Sequence, residues 1–114
     1  MMFNGSHLVI FSTEPEADRA LIAKLFTGKQ VDAGDGWMIH ELPPAEIAIH
    51  PSNGSTHHEL HMMCEDIEAA RQKLAELGIE SADPKDLGYG IVSEFTMPGG
   101  SVVGFYQPRH ASAI

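Results

Sequence analysis

The chain has 114 residues and a formal net charge of −9, with 16 acidic side chains against 7 basic ones. Apolar residues make up 43% and charged residues 20%, a balance that fits one folded core and excludes a disordered chain. The acid excess leaves no basic stripe, so neither nucleic acid nor an anionic membrane is expected as a partner, whereas a cationic ligand or a metal cation would suit it.

No apolar run approaches the roughly 20 residues of a membrane-crossing helix. The opening stretch MMFNGSHLVIF has no basic region and no small-residue cleavage site, so no secretory signal is expected. A single cysteine, Cys64, excludes an internal disulfide framework and suits a reducing, cytoplasmic setting.

In chain order, the first element is a short apolar run from His7 to Phe11, the length of a buried strand. Thr13-Glu14-Pro15-Glu16 then offers an N-cap, a proline in the first turn and a capping-box glutamate. The helix that follows places Ala17, Leu21 and Leu25 on one face, with Ala20 beside them, and stops at Gly28. Extended pieces are expected near Val31, from Gly36 to Leu42 and from Glu46 to His50, the last two separated by Pro43-Pro44. After the turn-rich PSNGST linker (51–56) the order recurs. A strand spans Glu59 to Cys64, and acidic residues open a helix at Glu65-Asp66-Ile67-Glu68. Ile67, Ala70, Leu74 and Leu77 share its apolar face, and Gly78 ends it. Extended pieces follow near Glu80, from Tyr89 to Met97 and from Ser101 to Gln107.

The recurrence is a repeat. Displaced by 52 positions, SHLVIFSTEPEADRALIAKLF falls on HELHMMCEDIEAARQKLAELG, and Gly36-Trp37 falls on Gly88-Tyr89. Each half reads β-α-β-β-β. The expected class is therefore α+β: one domain over 1–114, made of two βαβββ modules at about 6–51 and about 57–108. A unit of that size cannot bury its own sheet face. Two pressed together form a cup-shaped, curved mixed sheet with the helices outside.

The paired modules, the GWMIHELPPAEIAIHP hairpin and the MPGGSVVGFYQP ending resemble the vicinal oxygen chelate superfamily, which includes glyoxalase I, bleomycin resistance proteins and extradiol dioxygenases. The resemblance covers about His7 to Pro108. It implies a cup, commonly with a divalent metal at its floor, and often a homodimer. It implies metal ligands on the first and last strand of each module. Carried over residue by residue, those positions are His7, Ala48, Glu59 and Gly104. Alanine and glycine cannot ligate a metal.

Strand side chains alternate with period two. The four positions and their neighbours two residues away therefore give an inward polar set of His7, Glu46, His50, Glu59, His61 and Tyr106. The same alternation splits the HHELHMMC run: His57, Glu59, His61 and Met63 point one way, and His58, Leu60 and Met62 the other. Met62, Met63 and Phe95 read as core, and Cys64 as a small buried hydrophobe.

Two functions stay open at this stage, with a vestigial, dimerising protein as a third. One is a metal-dependent lyase, isomerase or dioxygenase. Zinc, iron, manganese or nickel would sit on His7, Glu59 and His50, with Glu59 and Tyr106 as catalytic groups. The other is a metal-free protein that sequesters a small molecule, as the bleomycin resistance branch does, through Glu46, His50, His61 and Tyr106.

Overall fold

The computed structural model describes residues 7–10, 12–46, 48, 54, 58–111 and 113–114. Two helices and six strands follow in the order α1 (Pro15–Leu25), β1 (Gln30–Asp32), β2 (Met38–His40), β3 (His61–Met63), α2 (Ile67–Glu76), β4 (Lys85–Asp86), β5 (Gly90–Thr96) and β6 (Val102–Pro108). The class is α+β, as expected.

The second module supplies one helix and a four-stranded sheet. The strands run β3-β6-β5-β4, with β3 parallel to β6 and the other neighbours antiparallel. The crossover from β3 to the rest of the sheet is α2, which starts at an N-cap aspartate. Asp66 Oδ1 accepts from the backbone N–H groups of Glu68 and Ala69 at 3.0 and 3.1 Å, satisfying two donors that the first turn leaves open. Gly78 ends it with φ +82°, a conformation that glycine adopts without a Cβ clash. Ile67 and Leu74 face the sheet, with Ala70 partly buried beside them, while Leu77 lies outside.

Among the described residues, six apolar side chains are buried: Ile67, Leu74, Phe95, Met97, Val103 and Phe105, all from the second module. The first module adds Ile10, Leu21, Ile22 and Leu25 at the margin. Leu21 and Leu25 face the core as expected and Ile22 joins them, whereas Ala17 and Ala20, expected on the same side, are exposed. A buried acid lies on the same helix. Asp18 is only 5% exposed, and its Oδ1 accepts from the backbone N–H of Gly99 at 2.8 Å, in the turn between β5 and β6. That bond ties α1 to the β5-β6 turn.

The start of α1 also departs from expectation. Thr13 does not cap it: Glu14 occupies the N-cap position without a side-chain bond, and Ser12 Oγ accepts from the Glu14 N–H at 2.9 Å. Pro15 opens the helix, where its missing N–H costs nothing.

Among the described residues, module one forms a two-stranded antiparallel ribbon, β1-β2, which does not join the four-stranded sheet. The expected strand from His7 is absent among its described residues: Leu8 and Val9 are 47% and 52% exposed and have no ladder partner. The expected strand from Glu46 to His50 is likewise absent among the described residues 46 and 48; the remainder of that stretch and most of the linker lie outside the described residues. In module two the piece expected near Glu80 forms later, as β4, opposite Val92 and Ile91. The repeat is still visible. Moved by 52 positions, α1 falls on 67–77 and α2 is Ile67–Glu76. Gly36 and Gly88, equivalent in that register, have φ values of +81° and +85°.

Candidate functional site

The register of the four-stranded sheet decides which side chains share a face, because directly paired residues project to the same side. His61 pairs with Gly104 and Met63 with Tyr106; Val92 pairs with Tyr106 and Glu94 with Gly104. His61, Met63, Val92, Glu94 and Tyr106 therefore share one face, with Val102 two residues before Gly104. Met62, Ser93, Phe95, Val103 and Phe105 share the opposite face, under the helices. The alternation expected in HHELHMMC is present: Leu60 and Met62 pack toward the core, and Glu59 and His61 do not. Met63 lies on the His61 side, so its assignment to the core is corrected by the same period of two.

On the face turned away from the helices the polar groups form a row. Glu59 Oε2 and His61 Nε2 are 2.9 Å apart. A carboxylate can only accept, so Nε2 carries the hydrogen. The other side of the imidazole lies over Gly104, where a Cβ would be 2.7 Å from Nδ1. His61 thus occupies the space into which a side chain at position 104 would project. The rings of His61 and Tyr106 meet edge to face, with centroids 6.0 Å apart and planes at 88°. Tyr89 meets Tyr106 from another side at 6.1 Å. Perpendicular contacts of this kind suit the quadrupoles of aromatic rings.

The phenol of Tyr106 lies 3.0 Å from His110 Nε2 and 3.4 Å from Glu46 Oε1. Burial pushes the Tyr106 hydroxyl up from its ordinary range, and the Glu46 carboxylate beside it adds to that shift. The phenol therefore keeps its hydrogen at neutral pH and serves as a donor. Glu46 reaches it from a loop and not from the expected strand, and its Oε2 also accepts from the N–H of Ala113 at 2.9 Å.

Of the residues anticipated from sequence, the structure joins Glu59, His61, Tyr106 and Glu46 in one row. His7 is exposed, beside a shallow cleft of about 330 Å³ where Leu8, Val9 and Ile10 run along Glu59, Leu60 and Val102. Ala48 is exposed. His50 and His57 lie outside the described residues. Among the described residues no three His, Cys, Asp or Glu side chains converge as a group able to hold a metal. Two members of the row were missed, Tyr89 and His110. Tyr89 had a signal, its equivalence to Trp37 in the repeat; His110, beyond the last strand, had none. Cys64 is half-buried against the core. Burial, and secondarily Asp66, push its thiol up, the opposite of an activated nucleophile. Among the described residues, no helix is long and apolar enough to cross a membrane.

No protein-family model and no curated protein matches the chain. Solved structures do. TnmS3, an antibiotic binding protein from Streptomyces sp. CB03234, is similar over 93% of this chain and 98% of its own, at 22% identity and a TM-score of 0.63. Two others are similar over less. SMU.1112c shares 26% identity over 65% of this chain, with a TM-score of 0.41. A glyoxalase family protein from Enterococcus faecalis shares 23% over 54%, with a TM-score of 0.40. This chain spans about half the length of those two, 55% and 52%. The likeness to TnmS3 is one of fold. What it supports is the expected α+β fold, two helices with a mixed sheet that does not close.

Proposed function

We propose that the protein binds a small molecule on the open sheet face, and that the ligand is aromatic with cationic character. The observation that carries this reading is the row Glu59–His61–Tyr106–Glu46, with Tyr89 beside it. Aromatic rings and carboxylates lie together on one sheet face, turned away from the helices. The acid excess of the whole chain favours the same ligand charge, and the fold likeness to an antibiotic binding protein supports sequestration over turnover.

The donor chemistry favours binding without a metal. Ala48 and Gly104 bring no ligating atom, and His61 turns its Nε2–H to Glu59. A metal-dependent lyase or dioxygenase would rest instead on His7, Glu59 and His50. The sheet face left open by β1-β2 also suits completion of the cup by a second copy, so a homodimer is part of this proposal. The lone, unactivated thiol suits a cytoplasmic location.

The test is a thermal shift series with bleomycin as a cationic, aromatic probe, on parent, Glu59→Gln and Tyr106→Phe proteins. Elemental analysis of chelator-free protein runs beside it. At 100 times Kd a ligand adds about 2.7 kcal/mol of stability. A shift in the parent that shrinks in both variants supports the reading. No shift, together with near-stoichiometric metal that His7→Ala removes, would replace it with the metal-dependent one.

A further inference from the structure

The segment after β6 is tied down at both ends. The Arg109 N–H donates to the Tyr89 carbonyl at 2.9 Å, and the Arg109 guanidinium lies 2.6 Å from Asp86 Oδ2. At the other end the Ala113 N–H donates to Glu46. Between these anchors the ring of His110 leans on that of Tyr106, with centroids 5.8 Å apart. Its two nitrogens have different partners: Nδ1 is 2.8 Å from the Ala111 carbonyl oxygen, and Nε2 is 3.0 Å from the Tyr106 hydroxyl.

A carbonyl oxygen has no hydrogen to give, so Nδ1 must carry one. In the neutral ring Nε2 is then an acceptor, and the single phenol hydrogen of Tyr106 goes to it. Glu46 Oε1, at 3.4 Å, is the competing acceptor. If Nε2 takes up a proton, it becomes a donor to the phenol oxygen, and the phenol's own hydrogen turns to Glu46. No covalent bond changes beyond that proton uptake.

We infer that His110 is a positioning residue for Tyr106, its tautomer fixed by Ala111, which sets whether the phenol donates along the chain to His110 or across to Glu46. The proposal deepens the ligand-binding reading, since Tyr106 is central to that face, but it can be judged without any ligand. The titratable and charged groups around the pair are Glu46 from the preceding loop, Tyr89 and His61 through ring contacts, Glu59 behind His61, and Arg109 held by Asp86.

The test uses the full chain with nitrogen-15 histidine and carbon-13 tyrosine, read by NMR at about pH 8 and at an acid pH where the His110 ring nitrogens themselves report two hydrogens. At the higher pH His110 should show a protonated Nδ1 and a bare Nε2. Tyr106→Phe should move the Nε2 signal and leave Nδ1 in place. The Tyr106 ring-oxygen carbon should move between the two pH values in the parent and stay still in His110→Ala. The opposite tautomer, an Nε2 signal indifferent to Tyr106→Phe, or a Tyr106 signal that moves equally without His110 would each overturn the proposal. Should His110→Ala not fold, the response to Tyr106→Phe decides alone. A failed bleomycin shift with the expected tautomer would count against the ligand reading only.

Discussion

The imidazole of His61 lies directly over the Cα of Gly104, so closely that a Cβ there would stand 2.7 Å from Nδ1 and 2.9 Å from Cε1. Glycine at this position makes room for the ring. The ring is partly exposed and can swing away, so Gly104→Ala is expected to cost less than the roughly 1–3 kcal/mol of overpacking a rigid core. It should nevertheless break the Glu59–His61 bond. Urea unfolding should show the small stability change, and histidine NMR the displaced ring; an unmoved His61 signal would contradict the geometry.

Asp18 and Gly99 are the second tie. Asp18→Ala leaves the Gly99 N–H without its partner and opens space at a buried position. The expected loss is about 1–3 kcal/mol. Asp18→Asn keeps an accepting oxygen and should lose less. If both variants unfold at the parent's urea midpoint, this bond does not hold α1 to the β5-β6 turn.

The two helix starts differ in a way that one pair of variants separates. Asp66→Ala removes a cap with two bonds and should cost about 0.5–2 kcal/mol. Thr13→Ala removes a side chain that caps nothing and should stay within about 0.5 kcal/mol of the parent. Equal losses would restore Thr13 as the cap of α1.

Asp86 gives a pH dependence with a definite sign. The Gly88 N–H, and after it Arg109, hold its carboxyl below the usual carboxylate range. A carboxyl lowered in the folded state contributes stability above its unfolded value of about 3.9. That contribution is lost as pH falls through the lowered folded value. Asp86→Asn should therefore be less stable than the parent at neutral pH, with the gap closing in acid. A gap that is constant with pH would assign the difference to something other than charge.

Module two was legible because its signals are local. The i, i+3, i+7 spacing of Ile67, Ala70 and Leu74 marks a helix face, and the alternation from Leu60 to Met63 marks a strand with two unlike sides. Module one was less so. The runs at His7 and Glu46 have the length and composition of strands, but a strand also needs a neighbour to bond with, and no local pattern supplies one. Asp18 was missed because an acid on a helix reads as solvated, and its partner lies 81 residues away. The row at Tyr106 was legible only where strand alternation reached it. Glu46 was anticipated, though through a strand alternation that its loop does not have, and His110 was missed because it arrives by a tail whose path depends on Asp86 and Ala113.

The six buried apolar side chains lie between α2 and the β5-β6 hairpin. The β1-β2 ribbon is different: Val31 and Ile39, paired across it, are both exposed. The chain therefore has a built-in gradient of amide protection. Hydrogen exchange should be slowest along β5 and β6, where opening requires the whole core to separate, and fast in β1-β2, which can open with module two intact. A second copy that covered Val31 and Ile39 would slow exchange in the ribbon, whereas a ligand on the His61–Tyr106 face would leave the ribbon's exchange fast, so the two docking places can be told apart.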